Sequence, residues 1–162
     1  MPNQILIVGF GNSLVGDDGA GPRVIELLRA VSLPSGVRAE DGGSDSLGLR
    51  GLWQDEDEIW LVDAVRTGAP AGTVHRLTHE QVVTVPQRHA TAHQLSLPES
   101  LRWLALTYPE LAAVRYRFWG IEAERLALEP GLSAAVAAAV AALAGEIRGR
   151  LPGRHEGGPW RA

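Results

Sequence analysis

Three side chains in this sequence have the types and surroundings to do chemistry together. Asp18 follows a glycine-rich loop and opens the first helical pattern, Asp63 comes directly after Val62 at the end of an apolar run, and His93 lies in a loop ahead of another helical pattern. Two carboxylates and an imidazole suit a divalent cation, and three protein ligands leave positions open for water or substrate. A cation held in this way can polarise a carbonyl or activate water, which is a route to hydrolysis. Asp18 and Asp63 could instead share a proton, as paired carboxylates do in aspartic proteases, but only if they approach closely. Each residue also has a plain structural reading. Asp18 favours the helix dipole, Asp63 can accept hydrogen bonds in a tight turn, and a lone loop histidine such as His93 is commonly a surface residue. His75, His79, His89 and His155 take that plain reading, His75 because it falls on a strand.

What gives the three residues a common address is the pattern of elements around them. Ile5 to Phe10 reads as a strand buried on both faces, and Glu58 to Ala64 as another. A weaker strand is expected over Val37 to Glu40, with Asp41-Gly42-Gly43 as a turn, and further strands over Thr73 to Leu77, with alternating character, and Val114 to Gly120. Helical patterns follow from Val24, Leu27, Leu28 and Val31, from Leu97 to Leu106, and from Leu132, Val136, Val140, Leu143 and Ile147; residues 46 to 53 could form a short helix. Ser133 falls near the start of the last helix, where a capping side chain is expected. Pro86 to Ala92 reads as irregular. Strands alternating with helices predict an α/β fold, a three-layer α/β/α sandwich around a mainly parallel twisted sheet of about five strands. Sites in such sheets form beyond the carboxyl ends of the strands, which is where Asp18, Asp63 and His93 fall. One domain is expected over residues 1–150, with a flexible tail over 151–162 that is rich in glycine, proline and charge.

Composition removes several alternatives. The 162 residues contain no cysteine, so disulfides, cysteine-ligated zinc and cysteine nucleophiles are excluded. The net charge of −4, with no basic stripe, gives no case for nucleic acid or an anionic membrane surface. No apolar run is long enough for a membrane span, and Met1 to Gln4 lack the basic start of a secretory signal; a cytoplasmic protein is expected. There is no Gly-x-Ser-x-Gly elbow and no phosphate-binding P-loop motif.

The rival reading is a dinucleotide-binding module. Gly9-Phe10-Gly11 after a strand begins that fingerprint, with Glu40 or Asp41 as an acidic ribose partner, but the third glycine position holds Leu14. Without that glycine, the helix is expected to stand further from the strand. Asp17 and Asp18 also put negative charge where a pyrophosphate would sit, which favours a cation over an anion.

Taken in order, the motifs resemble those of the [NiFe]-hydrogenase maturation endopeptidases. The opening Ile5-Leu6-Ile7-Val8-Gly9-Phe10-Gly11-Asn12 with Gly16-Asp17-Asp18-Gly19-Ala20-Gly21 is similar to that family's first signature. Asp41-Gly42-Gly43-Ser44, Leu61-Val62-Asp63-Ala64-Val65 with Gly72-Thr73-Val74, and Ala92-His93-Gln94-Leu95-Ser96-Leu97 resemble the next three. Gly120-Ile121-Glu122 with Leu128-Glu129-Pro130-Gly131-Leu132-Ser133 resembles the last, so the likeness spans roughly residues 4 to 148. The resemblance implies an endopeptidase, of aspartyl type in the family's usual classification, that removes the C-terminal extension of a hydrogenase large-subunit precursor after nickel insertion. It implies Asp18, Asp63 and His93 as metal ligands, with the nickel carried by the substrate, and it matches Asp41 to a motif aspartate that assists cleavage. A monomer is expected. The first ligand is often glutamate in the family, so Asp18 reaches less far by about one methylene. Asp17 should point elsewhere, because neighbours on a helix do not share a face. The alternative that remains is a non-catalytic nucleotide-binding or metal-sensing module on the same fold.

Overall fold

Every residue of the first apolar run, strand β1 (Ile5–Phe10), is buried. A strand needs such a run only when helices cover both faces of its sheet. The computed structural model, which describes residues 3–84 and 97–153, shows that arrangement. Ile5 and Ile7 pack with helices α1 (Ala20–Arg29) and α6 (Ala134–Arg150). Leu6, Val8 and Phe10 point to the other face, into a second core. That core takes Leu49 from α2 (Leu49–Leu52), Val82 from α3 (His79–Thr84), Leu97, Leu101 and Leu104 from α4 (Leu97–Thr107), and Leu111 from α5 (Pro109–Ala112). The three-layer sandwich expected from the sequence is what forms.

The sheet has β2 (Val37–Gly43), β3 (Glu58–Val65), β4 (Val74–Leu77) and β5 (Arg115–Glu122) beside β1, in the order β2-β1-β3-β5-β4. All neighbours are parallel except the edge strand β4, which runs antiparallel to β5. From β1 the chain crosses through α1 to β2 on one side, and then returns to place β3 on the other side. The strand order therefore reverses between β1 and β3, where open α/β sheets part to leave a crevice.

Two details differ from the sequence-based expectation. Asp41-Gly42-Gly43 is the end of β2 rather than a turn, with a register slip opposite Gly9 and Phe10. Gly43 sits at φ 65°, so the irregularity is absorbed inside the strand by a residue that tolerates a left-handed conformation. The short helices α3 and α5 carry no periodic signature in the sequence, since neither is long enough to show a repeating apolar face. Pro109 at the start of α5 was the one available signal. Leu151 is buried in the α1/α6 core, so packing continues to that residue. Residues 154–162, most of the expected tail, lie outside the described residues. Among the described residues no helix is long and apolar enough to cross a membrane.

Candidate active site at the carboxyl edge of the sheet

The crevice between β1 and β3 is bordered by two of the three predicted residues. Register pairs Gly9 of β1 with Val62 of β3, the last pair of that ladder. Asp63 is thus the first residue of β3 beyond its pairing with β1, level with Gly120 of β5. Alternation carries Asp63 to the same face as Ile59 and Leu61, the face covered by α3 and α4. On the other side of the crevice, the chain leaves β1, turns through Gly11, and enters a 3-10 turn over Gly16–Gly19 that contains Asp18.

Glycines let this turn sit against the strand ends. A Cβ on Gly21 would lie 2.2 Å from the Phe10 carbonyl oxygen and 2.8 Å from that of Val62, and one on Gly9 would lie 2.3 Å from the Gly21 oxygen. Helix α1 therefore rests backbone to backbone on β1 and β3. This corrects the expectation drawn from Leu14: the helix does approach the strand closely, because Gly21 supplies the missing clearance from within the helix. The dinucleotide argument from a distant helix falls away, and the argument from the acidic turn remains.

The Asp18 carboxylate accepts a hydrogen bond from the Asn12 amide at 2.8 Å, which fixes its direction across the loop. Asp63 is only partly exposed. Burial, and then the negative charge of Asp18, push its carboxyl up to about 7, against a smaller opposing effect of the Ala64 amide. The influence of Asp18 places the two carboxylates within electrostatic reach of each other. Asp63 can thus keep its proton near neutral pH, or exchange that proton for a cation.

The direction of the shift sets a pH dependence. An unfolded aspartate titrates near 3.8 and Asp63 in the fold near 7, so the folded protein holds the extra proton in that window. Stability therefore falls as pH rises from about 4 to about 7, and levels off above. With a chelator present, the melting temperature should drop between about pH 4 and pH 7, and Asp63→Asn should flatten the drop. An unchanged slope in the variant would locate the titration elsewhere.

The other predicted residues are placed differently. His93 lies outside the described residues, and among the described residues no group of three or more His, Asp or Glu side chains is arranged to hold a metal. Asp41 follows Val37 and Ala39 onto the α1/α6 face of the sheet, opposite to Asp63. It is exposed, accepts the Gly43 amide at 2.9 Å, and borders an open cavity of about 650 Å³ along α1 that Pro22, Arg23 and Gly131 also line.

Two carboxylates beside this site, Asp17 and Glu122, are buried with partners that the sequence does not reveal. Asp17 is fully buried, and its oxygens accept the amides of Glu124 at 2.8 Å, Arg125 at 2.9 Å and Ser133 at 2.7 Å, and the Ser133 hydroxyl at 3.0 Å. Burial alone would raise its pKa, but these bonds outweigh burial and hold it below the usual value. It points away from Asp18, as the sequence predicted. Glu122, next to Val65 in register, accepts the Thr67 amide and hydroxyl, the Gly68 amide, and the His75 ring at 3.0 Å. Burial opposes its charge, yet the Thr67, His75 and Gly68 bonds bring it down to about 2. His75 is therefore not a free surface histidine: it braces the 66–73 connection through Glu122. For Glu122 the signal available was an acidic residue at the end of an otherwise apolar stretch, which needs partners when buried.

Residues 22–149 match a family model described as hydrogenase maturation protease. The chain is 36% identical over 148 residues to the hydrogenase expression/formation protein HupM of Azotobacter chroococcum, covering 83% of this chain and 70% of that protein. It is 34% identical over 107 residues to the hydrogenase 2 maturation protease of Escherichia coli, covering 64% of this chain and 65% of that protein. The structure of the hydrogenase maturating endopeptidase HybD from E. coli superposes with a TM-score of 0.74 at 28% identity, covering 89% of each chain.

Proposed function

The chain belongs to the hydrogenase maturation protease family, and from that premise we propose that it cuts the C-terminal extension from a [NiFe]-hydrogenase large-subunit precursor once nickel has been inserted. It is a peptidase, which sets aside the reading as a non-catalytic nucleotide-binding or metal-sensing module. In our reading, Asp18, Asp63 and His93 contact the nickel ion that the precursor brings, and the ion is part of the substrate. The observation that carries this is the meeting of the Asp18 turn with the end of β3 at the β1/β3 crevice, where burial and then the charge of Asp18 raise the Asp63 pKa. A cation reverses that repulsion and displaces the proton, so the site gains most when the ion arrives.

Contact with the ion orients the precursor and brings its C-terminal segment to the carboxyl edge of the sheet, which is a positional contribution to peptide cleavage. Asp41, on the opposite face, shapes the end of β2 and the rim rather than meeting the ion. The enzyme and its precursor meet in the cytoplasm in this reading, with one copy of the chain sufficient.

The test is direct. Incubated with a nickel-loaded large-subunit precursor, the purified chain should shorten it at the C-terminus, as read by intact mass. The nickel-free precursor should keep its mass. Equal cutting of both would overturn nickel recognition, and cutting of neither would overturn the assigned substrate.

A further inference from the structure

Asp17 spends more hydrogen-bonding capacity than helix capping explains. Its carboxylate reaches 107 to 116 residues along the chain to the loop between β5 and α6, and accepts three backbone amides and a hydroxyl there. The two segments are laced further by their backbones: the Asp17 amide donates to the Arg125 carbonyl and the Gly16 amide to the Glu129 carbonyl, both at 2.8 Å. Gly16, at φ 52°, has room for no side chain, since a Cβ would lie 2.6 Å from the Arg125 oxygen. Ser133 occupies the N-cap position of α6, yet its hydroxyl makes no cap bond to the helix and goes to Asp17 instead. The very next residue is Asp18, whose carboxylate is held from the other side by the Asn12 amide.

We propose that Asp17 is a positioning residue for the reaction: by fastening the 124–133 loop to the Gly16–Gly19 turn, it fixes the backbone from which Asp18 reaches toward the metal. This rests on the reading that Asp18 contacts nickel. Groups that orient metal ligands without touching the ion contribute about 10–100-fold to affinity or activity. An asparagine at 17 keeps one acceptor oxygen but turns an amide donor toward the Ser133 amide or the 124–125 amides, so the lacing cannot be completed.

The experiment measures Ni²⁺ binding to the full chain by titration calorimetry, with precursor cleavage as a second readout, well below each variant's melting temperature. Asp17→Asn should weaken Ni²⁺ binding and slow cleavage about 10–100-fold, and Ser133→Ala, which removes one of the four bonds, should fall between it and the parent. Parent-like affinity and rate in a folded Asp17→Asn, with only its melting temperature lowered, would reduce Asp17 to a structural brace and overturn the proposal. Should Asp17→Asn fail to fold, Ser133→Ala decides on the same two readouts. Asp18→Ala separates the readings: if it binds Ni²⁺ and cleaves like the parent, the metal site itself is misassigned and the positioning proposal falls with it. If Asp18→Ala is impaired while Asp17→Asn is not, the positioning proposal alone falls.

Discussion

Asp63→Ala should slow cleavage of the nickel-loaded precursor by about 100-fold or more, and Asp18→Ala should do the same. Loss of a group that merely orients a ligand already costs 10–100-fold, so loss of a ligand is expected to reach or exceed the top of that range. The effect should be on activity and not on folding. Asp63 sits beyond the β1 ladder, and burial, with the charge of Asp18 second, opposes its ionisation. Removing either carboxylate relieves repulsion, so above neutral pH the melting temperature should hold or rise. A variant that loses activity while gaining stability carries the signature of a functional pair, since natural sites keep unfavourable charge only where the chemistry uses it. Asp41→Ala makes the contrast. Its carboxylate is exposed, on the other face of the sheet, and bonded to the Gly43 amide, so its loss should disturb the end of β2 and lower the rate far less. Initial rates by intact mass, with melting curves for each variant, check all three. Parent-like cleavage by Asp63→Ala would remove Asp63 from the site, and equal losses for Asp41 and Asp63 would mean that geometry across the sheet does not separate their roles.

Much of this site could be read from the sequence because its information is local. Ile5 to Phe10 and Ile59 to Val62 are apolar runs with one meaning in an α/β protein; Asp63 stands directly after the second, and Asp18 follows the first across one glycine-rich loop. Topology then needed only the rule that such sheets open where strand order reverses, and the observed order places that point between β1 and β3. What the sequence concealed is non-local. Nothing near Asp17 shows that its carboxylate accepts amides from Glu124, Arg125 and Ser133, more than a hundred positions away. Glu122 and His75 are likewise brought together only because β4 folds back antiparallel on β5. The end of β2 misled for a different reason. An Asp-Gly-Gly sequence has the chemistry of a turn, and pairing with β1 overrides that preference. His93, the third predicted ligand, falls outside the described residues.

Gly21→Ala should lose about 3 kcal/mol or more in folding free energy. Three backbone atoms stand in the way: the Phe10 oxygen at 2.2 Å, the Val62 oxygen at 2.8 Å and the Phe10 nitrogen at 2.9 Å from the added carbon. A flexible side chain could swing aside, but strand backbone cannot move without breaking ladder bonds on both sides, so α1 must lift away from β1 and β3. That opens the core at Val24, Ile25 and Leu28, all of them buried. At this chain length the loss corresponds to a fall of about 6–12 °C in melting temperature. Gly145→Ala is the matched control: it lies in α6 with nothing within 4 Å of the new carbon, so the same methyl should be neutral or stabilising by up to about 1 kcal/mol. Calorimetric melting of the two variants decides the point, and a fall in Gly21→Ala no larger than in Gly145→Ala would mean that the helix and strands are not in backbone contact. The same lift carries the Gly16–Gly19 turn with it, because α1 continues directly from that turn. Asp18 would then move relative to Asp63, and cleavage should weaken even at temperatures where the variant is fully folded. The glycine at 21 therefore serves stability and chemistry through one contact. It keeps the acidic turn pressed against the strand ends, where the charge of Asp18 acts on Asp63.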